Sequence, residues 1–186
     1  MEASNDLICL TNKSTRVKVS SSLKGSPENT KDKIFDGKVD TSWYSNSGKF
    51  QYIYVYFDEP VNIKEISFNF DGSFSPKEIE MSISQTDEYE NKKPVLTQIK
   101  TFEVPNSNET HKFSLEEEEM KKCSNIKTVK FFMKKFNDPF GRIIVYDLQI
   151  KGSKWIFYSL NIIYFFNIEI NIKAKLLFLR NNTKFY

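Results

Sequence analysis

A single histidine, two cysteines and six glycines leave this chain few of the parts from which catalytic and metal centres are made. Zinc sites need about four Cys or His ligands at tight spacing, whereas Cys9, His111 and Cys123 are scattered along the sequence. A Ser-His-Asp or Cys-His unit would require His111 to meet its nucleophile in space. Flanked by Thr110 and Lys112 in a polar stretch, His111 reads instead as a surface residue. None of the glycines falls into GxGxxG or GxxxxGK, so the familiar phosphate-cradling loops are excluded. No enzyme is expected, and no cofactor.

A concentrated excess of positive charge is missing as well. Five of the 27 basic residues and one of the 24 acids lie from Lys154 onward, so residues 1–153 hold 22 bases against 23 acids, a net of −1. Nucleic-acid binding needs a basic face or stripe. No direct nucleic-acid partner is therefore expected.

The start, Met1 to Asp6, is acidic and polar where a secretory leader has basic residues and then an apolar run. Residence in the nucleus or cytoplasm is expected, with both thiols reduced and the sequons at Asn12 and Asn108 unused. Long apolar runs are absent too. The tail, 154–186, is rich in Ile, Phe, Leu and Tyr, but Asn161, Asn167, Glu169, Asn171 and Lys173 interrupt it. It falls short of the roughly 18–20 apolar residues a bilayer span requires, and no span is expected. Its composition is what AT-rich codons spell, and the tail reads as foreign to the domain, translated from intron or untranslated sequence. A genuine extension and a membrane-associated segment are the alternatives.

What is present in quantity is aromatic and alternating. Phe occurs 17 times and Tyr nine. Ile53, Val55 and Phe57 alternate with Tyr52, Tyr54 and Tyr56; Ile66, Phe68 and Phe70 alternate with Ser67 and Asn69. Ile79, Met81 and Ile83 do the same, as do Val129, Phe131 and Met133. Period-two alternation puts one set on each face of a strand. Val61 and Ile63 have the opposite parity to Ile66, which predicts a turn or bulge at Lys64–Glu65. Turn signals stand at Asp36-Gly37, Asp58-Glu59-Pro60, Asp71-Gly72 and Asn137-Asp138-Pro139. Half-polar strands between turns predict an all-β, antiparallel β-sandwich. The exception is 114–122, where Ser114 and Glu117 have capping-box spacing and acids precede bases, predicting one helical turn.

Certain motifs carry a family likeness. Ile34-Phe35-Asp36-Gly37 is followed by Thr41, Trp43 and Ser45 at alternate positions, then by Gln51-Tyr52-Ile53 opening a strand. At the far end Asp138 to Gly152 reads as a closing strand. This order resembles the discoidin, or coagulation factor type C, domain, and the resemblance covers residues 7–153. It implies a jelly-roll sandwich, of the discoidin or galactose-binding-like kind, as one domain over 1–153. Phe140-Gly141-Arg142-Ile143 also resembles the last strand of the small stand-alone nuclear receptor-associated repressor proteins.

The likeness implies a binding module that works through loops at one end of the sandwich. Two classes of ligand remain open: another protein, such as a nuclear receptor or transcription complex, and a carbohydrate or phospholipid headgroup. No Leu-x-x-Leu-Leu helix, the usual receptor-docking motif, occurs in the chain. Three polar segments, 23–29, 44–50 and 137–142, are the candidate loops, with Tyr44, Lys49, Phe50, Phe140 and Arg142 as candidate anchors. Trp43 and Ile143 are expected in the core, and Arg142 is expected to fold back onto carbonyls or Asp138. In some relatives of this fold a structural calcium ion lies nearby. Asp40, Thr41 and Asp147 are the positions that correspond, hard oxygen donors being suited to that ion.

Overall fold

The computed structural model describes residues 7–23, 27–38, 40–87 and 94–155. Nine antiparallel strands dominate it: β1 Ile8–Cys9, β2 Arg16–Val19, β3 Trp43–Tyr44, β4 Gln51–Phe70, β5 Glu78–Ser84, β6 Thr97–Glu103, β7 Thr110–Ser114, β8 Ile126–Met133 and β9 Ile144–Lys154. Short 3₁₀ turns at Pro27–Asn29, Lys31–Phe35 and Gly72–Phe74 and one helix, α1 Glu117–Lys122, fill the connections.

β4 organises the sandwich. Its first part, Gln51–Tyr56, pairs with β2 on one side and β8 on the other, and β8 continues into β5 and β6. Its second part, Val61–Phe70, pairs with β7 and β9, and β9 carries the short β1 and β3. The two layers meet ring to ring. Phe68 of β4 stands perpendicular to Phe131 of β8 with centroids 5.0 Å apart, and Phe102 of β6 lies 4.7 Å from Phe113 of β7. Trp43, Ile53, Val55, Ile66, Phe68, Phe70, Ile79, Met81, Val129, Phe131 and Ile143 are fully buried, as the alternation predicts. The parity break is a register shift between Ile63 and Glu65 against β9.

Three expectations need correction. Asp58-Glu59-Pro60 is no turn: β4 runs straight through it for 20 residues. Ladder pairing lapses there between Tyr56 and Val61, so the proline removes no needed donor. Ser114 is not a helix cap, because it ends β7 opposite Glu65, in extended backbone. Leu115 then buries its side chain, and the cap falls two residues later, where Glu116 and Glu119 form the reciprocal box. His111 is not on the surface. Paired with Phe68, it faces inward on β7 and sits 6.3 Å from the ring of Phe70 with 7% exposure. Expectations about 156–186 lie outside the described residues, and so do Lys24, Gly25 and Ser26 of the first loop.

Candidate functional site

The three candidate loops are tied together by backbone and buried side chains. The Leu23 N–H donates to the Tyr44 carbonyl at 2.8 Å, and the Asn46 N–H to Ser21 Oγ at 3.0 Å, joining the first loop to the second. The second joins the third through the Gly48 N–H, which reaches the Phe140 carbonyl at 3.0 Å. Gln51, 1% exposed, serves both: its Nε2 donates to the carbonyls of Asn46 at 2.8 Å and Gly141 at 2.7 Å. Ser20 Oγ donates to its Oε1. Gly141 has φ +71°, and a Cβ there would overlap the Gly48 carbonyl oxygen. Glycine is thus required twice at one position, for the left-handed backbone and for the close approach. Trp43 floors the region, its Nε1 donating to the Ser21 carbonyl at 2.8 Å.

Arg142 folds back as expected. Its Nε and Nη2 donate to Asp138 Oδ2 and Oδ1 at 3.1 and 2.9 Å, a bidentate pair. The backbone N–H groups of Phe140 and Arg142 add to the same carboxylate at 3.1 and 3.0 Å. The guanidinium is the main reason that the Asp138 carboxyl is held below the usual carboxylate range. The same guanidinium lies 4.9 Å from the Phe74 ring and 5.3 Å from the Phe140 ring. Arg142 is therefore a brace for the third loop.

The remaining anchors divide by location. Lys49 and Phe140 line one open cleft of about 650 Å³, together with Lys134 and Phe136. Phe140 is 64% exposed and Phe50 51%. The Phe50 ring lies 5.7 Å from Phe132 of β8, so this residue faces the outer side of the β2–β4–β8 layer. Tyr44 is half-buried on β3 beside β9. It lies near Tyr146, whose hydroxyl is pushed upward by burial first, then by Asp71 and Tyr44.

Sequence reading missed Phe132, Lys130 and Lys134. The Lys130 ammonium is 4.5 Å from the Phe132 ring and 5.5 Å from Tyr54, and the Lys134 ammonium is 5.1 Å from the Phe132 ring. The signal was the alternation of β8 itself, whose outward set includes Lys130 and Phe132, with Lys134 just past its end.

The three calcium candidates have different surroundings. Asp40 is exposed, and Thr41 Oγ1 donates to Asp36 at 2.9 and 2.8 Å. Asp147 accepts from Gln149 Nε2 at 2.9 Å, and burial pushes its carboxyl upward. Among the described residues no group of three or more His, Cys, Asp or Glu could hold a metal ion. Nor does any helix there have the length and apolarity to cross a membrane. The Cys123 thiol is buried and pushed up to about 12 by that burial, which makes it a poor nucleophile.

Comparison with known proteins agrees with this fold. The F5/8 type C domain family matches residues 16–135. The nuclear receptor 2C2-associated protein of Danio rerio is 31% identical over 149 residues, covering 80% of this chain and 96% of the relative. Its Homo sapiens counterpart is 24% identical over 121 residues, covering 65% and 78%. Among solved structures, chitosan-binding module 1 from a Paenibacillus chitosanase/glucanase superposes with TM-score 0.63 at 16% identity, covering 78% of this chain and 99% of that one. The family 32 CBM from Clostridium perfringens NanJ, solved with galactose, gives 0.59 at 10%, covering 78% and 99%. At those identities the likeness to the solved structures is one of fold. The chain belongs to the F5/8 type C domain family and is a relative of the nuclear receptor 2C2-associated proteins.

Proposed function

We propose that this chain is a non-enzymatic protein-binding module that docks its partner at the loop end of the sandwich. The observation that carries this is the pair of exposed rings, Phe140 at 64% lining the Lys49 cleft and Phe50 at 51% against Phe132, on loops pinned to a rigid core. Large apolar side chains on a braced scaffold make good anchors, since little conformational freedom is lost on docking. The relatives' name supports a partner from the nuclear receptor 2C2 class, and with such a partner goes the nuclear or cytoplasmic setting proposed for the chain.

The test is a Phe50→Ala and Phe140→Ala double variant of the full chain. Binding to nuclear receptor 2C2, and to partners identified by affinity purification and mass spectrometry, should fall at least about tenfold with melting unchanged, as for two hot-spot residues. Unaltered binding would move the interface elsewhere.

An exposed ring beside polar loops also suits a sugar face, and the solved structures of similar fold include a chitosan-binding module and a module in complex with galactose. Titration with chitotriose and galactose separates the two readings. Saturable sugar binding lost in the same double variant would favour the carbohydrate one.

A further inference from the structure

The cleft continues over its rim onto the outer face of the β2–β4–β8 layer. Building on the loop-end reading, we propose that the partner presents an extended acidic segment, with apolar residues seated on Phe140, Phe50 and Phe132 and carboxylates on Lys49 and Lys130.

The first support is continuity. Phe140 and Lys49 share the cleft with Lys134. Lys134 flanks Phe132 at 5.1 Å, Lys130 flanks it at 4.5 Å, and Phe50 packs against it at 5.7 Å. Rings and ammonium groups therefore alternate from the loop end down to Tyr54 and Tyr52, whose rings are 5.5 Å apart. A backbone lying along this row would meet an apolar surface and a positive charge in turn.

The second support is charge. Two carboxylates beside the row are already occupied: Asp138 is held by Arg142, and Glu80 by Lys134 at 2.9 Å. Among the described residues no carboxylate pairs with Lys49 or with Lys130, whose recorded contacts are to rings. A neutral sugar would leave both ammonium groups uncompensated, and a basic peptide would be repelled. A long polyanion fits less well, because the β5–β6 side of the same layer carries Glu78, Glu80 and Glu103 and residues 1–153 net −1. Two well-placed carboxylates with apolar neighbours satisfy the row without crossing that acidic border.

The test is fluorescence anisotropy of the full chain with a short labelled peptide that alternates Asp or Glu with Phe or Leu. The controls are the same peptide with every acid replaced by Lys, and a short oligo-dT strand. The acidic peptide should bind at least about tenfold more tightly than the Lys form, because like charges at a contact suppress the wrong partner. Lys49→Glu combined with Lys130→Gln should weaken it by roughly tenfold at low salt while melting is unchanged. That difference should vanish near 1 M salt, where the screening length is about 3 Å. Because the salt series needs no substitution, it decides the matter even for a variant that folds poorly.

Equal affinity for the acidic and Lys peptides overturns the inference. So does tighter binding of oligo-dT through the same lysines, which would give the surface to single-stranded nucleic acid. The loop-end reading fails separately: it falls if Phe50→Ala with Phe140→Ala leaves partner binding intact. The acidic-segment inference alone falls if that variant abolishes partner binding while charge reversal and salt do not move it.

Discussion

Replacing Gly141 with alanine tests whether the loop end is as tightly fastened as its hydrogen bonds imply. Two costs add there. The residue has φ +71°, and a left-handed backbone costs a non-glycine residue about 1–2 kcal/mol. The new Cβ would also overlap the Gly48 carbonyl, so the second and third loops must part. Parting them strains the buried bond from Gln51 Nε2 to the Gly141 carbonyl. An unsatisfied buried donor costs about 1–3 kcal/mol. Together these give roughly 2–5 kcal/mol, or about 4–20 °C in melting temperature at the 2–4 °C per kcal/mol expected for a chain of this size.

Gly37 supplies the internal control. It has nearly the same angle, φ +70°, yet an added Cβ would meet nothing within 4 Å. Gly37→Ala should therefore lose only the backbone share, about 1–2 kcal/mol. Both variants are read by thermal and urea denaturation, followed by far-UV circular dichroism and by tryptophan emission. Equal losses at the two positions would refute the reasoning, since the contact between the loops would then contribute nothing.

Trp43→Ala should lose about 3–5 kcal/mol, the usual range for a large buried aromatic; a loss near zero in the same denaturation experiment would mean that the ring does not pack as described. A thiol reagent at neutral pH should label one site per folded chain, Cys9, and two after denaturation, because Cys123 is fully buried and its thiol is pushed up to about 12. Two rapid labels in the folded chain would contradict this. Asp138 is held below the usual carboxylate range, so its contribution is full above the unfolded value near pH 4 and is lost as pH falls through the depressed folded value. Asp138→Asn should accordingly melt below the parent chain at neutral pH and converge with it in strong acid; a gap that widens on acidification would reverse the assignment. Residues 1–155 alone should melt as one cooperative transition, since β9 ends at Lys154 and the Trp155 N–H still reaches the Pro60 carbonyl at 2.9 Å.

Much of the core was legible because burial and parity are coupled in a strand. Each apolar residue at alternate positions of β4, β5 and β8 lies inward, and the one break in parity marks a real shift of register. The same rule was available for His111. Thr110, Lys112 and Ser114 are the exposed set of β7, which leaves His111 and Phe113 on the other face, but a polar residue type outweighed its position. Pro60 misled for a related reason. Proline usually interrupts a strand, yet here it falls where the chain passes from one layer to the other and its missing N–H has no ladder to serve.

The candidate site was less legible. Phe50 and Phe140 could be read as exposed, being apolar residues in polar loops. That Arg142 folds back was expected, with carbonyls and Asp138 left open as its partners; the structure pairs it with Asp138. That Phe132, Lys130 and Lys134 join Phe50 could not be read, because the contact is made across strands far apart in sequence. Tyr44 was grouped with Phe50 by proximity in the chain, although β3 pairs with β9 and carries it toward Tyr146.

The passage of β4 through both layers has a further consequence, for how the domain comes apart. In a sandwich whose sheets are separate ribbons, one layer can open while the other persists. Here Gln51–Tyr56 and Val61–Phe70 are one uninterrupted backbone, and each half is an inner strand of its own layer, paired on both sides. Opening either layer therefore frees the strand around which the other is built. Amide protons in the paired parts of β4, Gln51–Tyr56 and Val61–Phe70, should exchange with deuterium only through global unfolding, at one common free energy, whereas those of β1 and β6 at the margins should exchange through local fraying. Closing both layers also requires β4 to find β8 and β9, more than fifty residues downstream, so assembly belongs with the slow, non-local class of β folds.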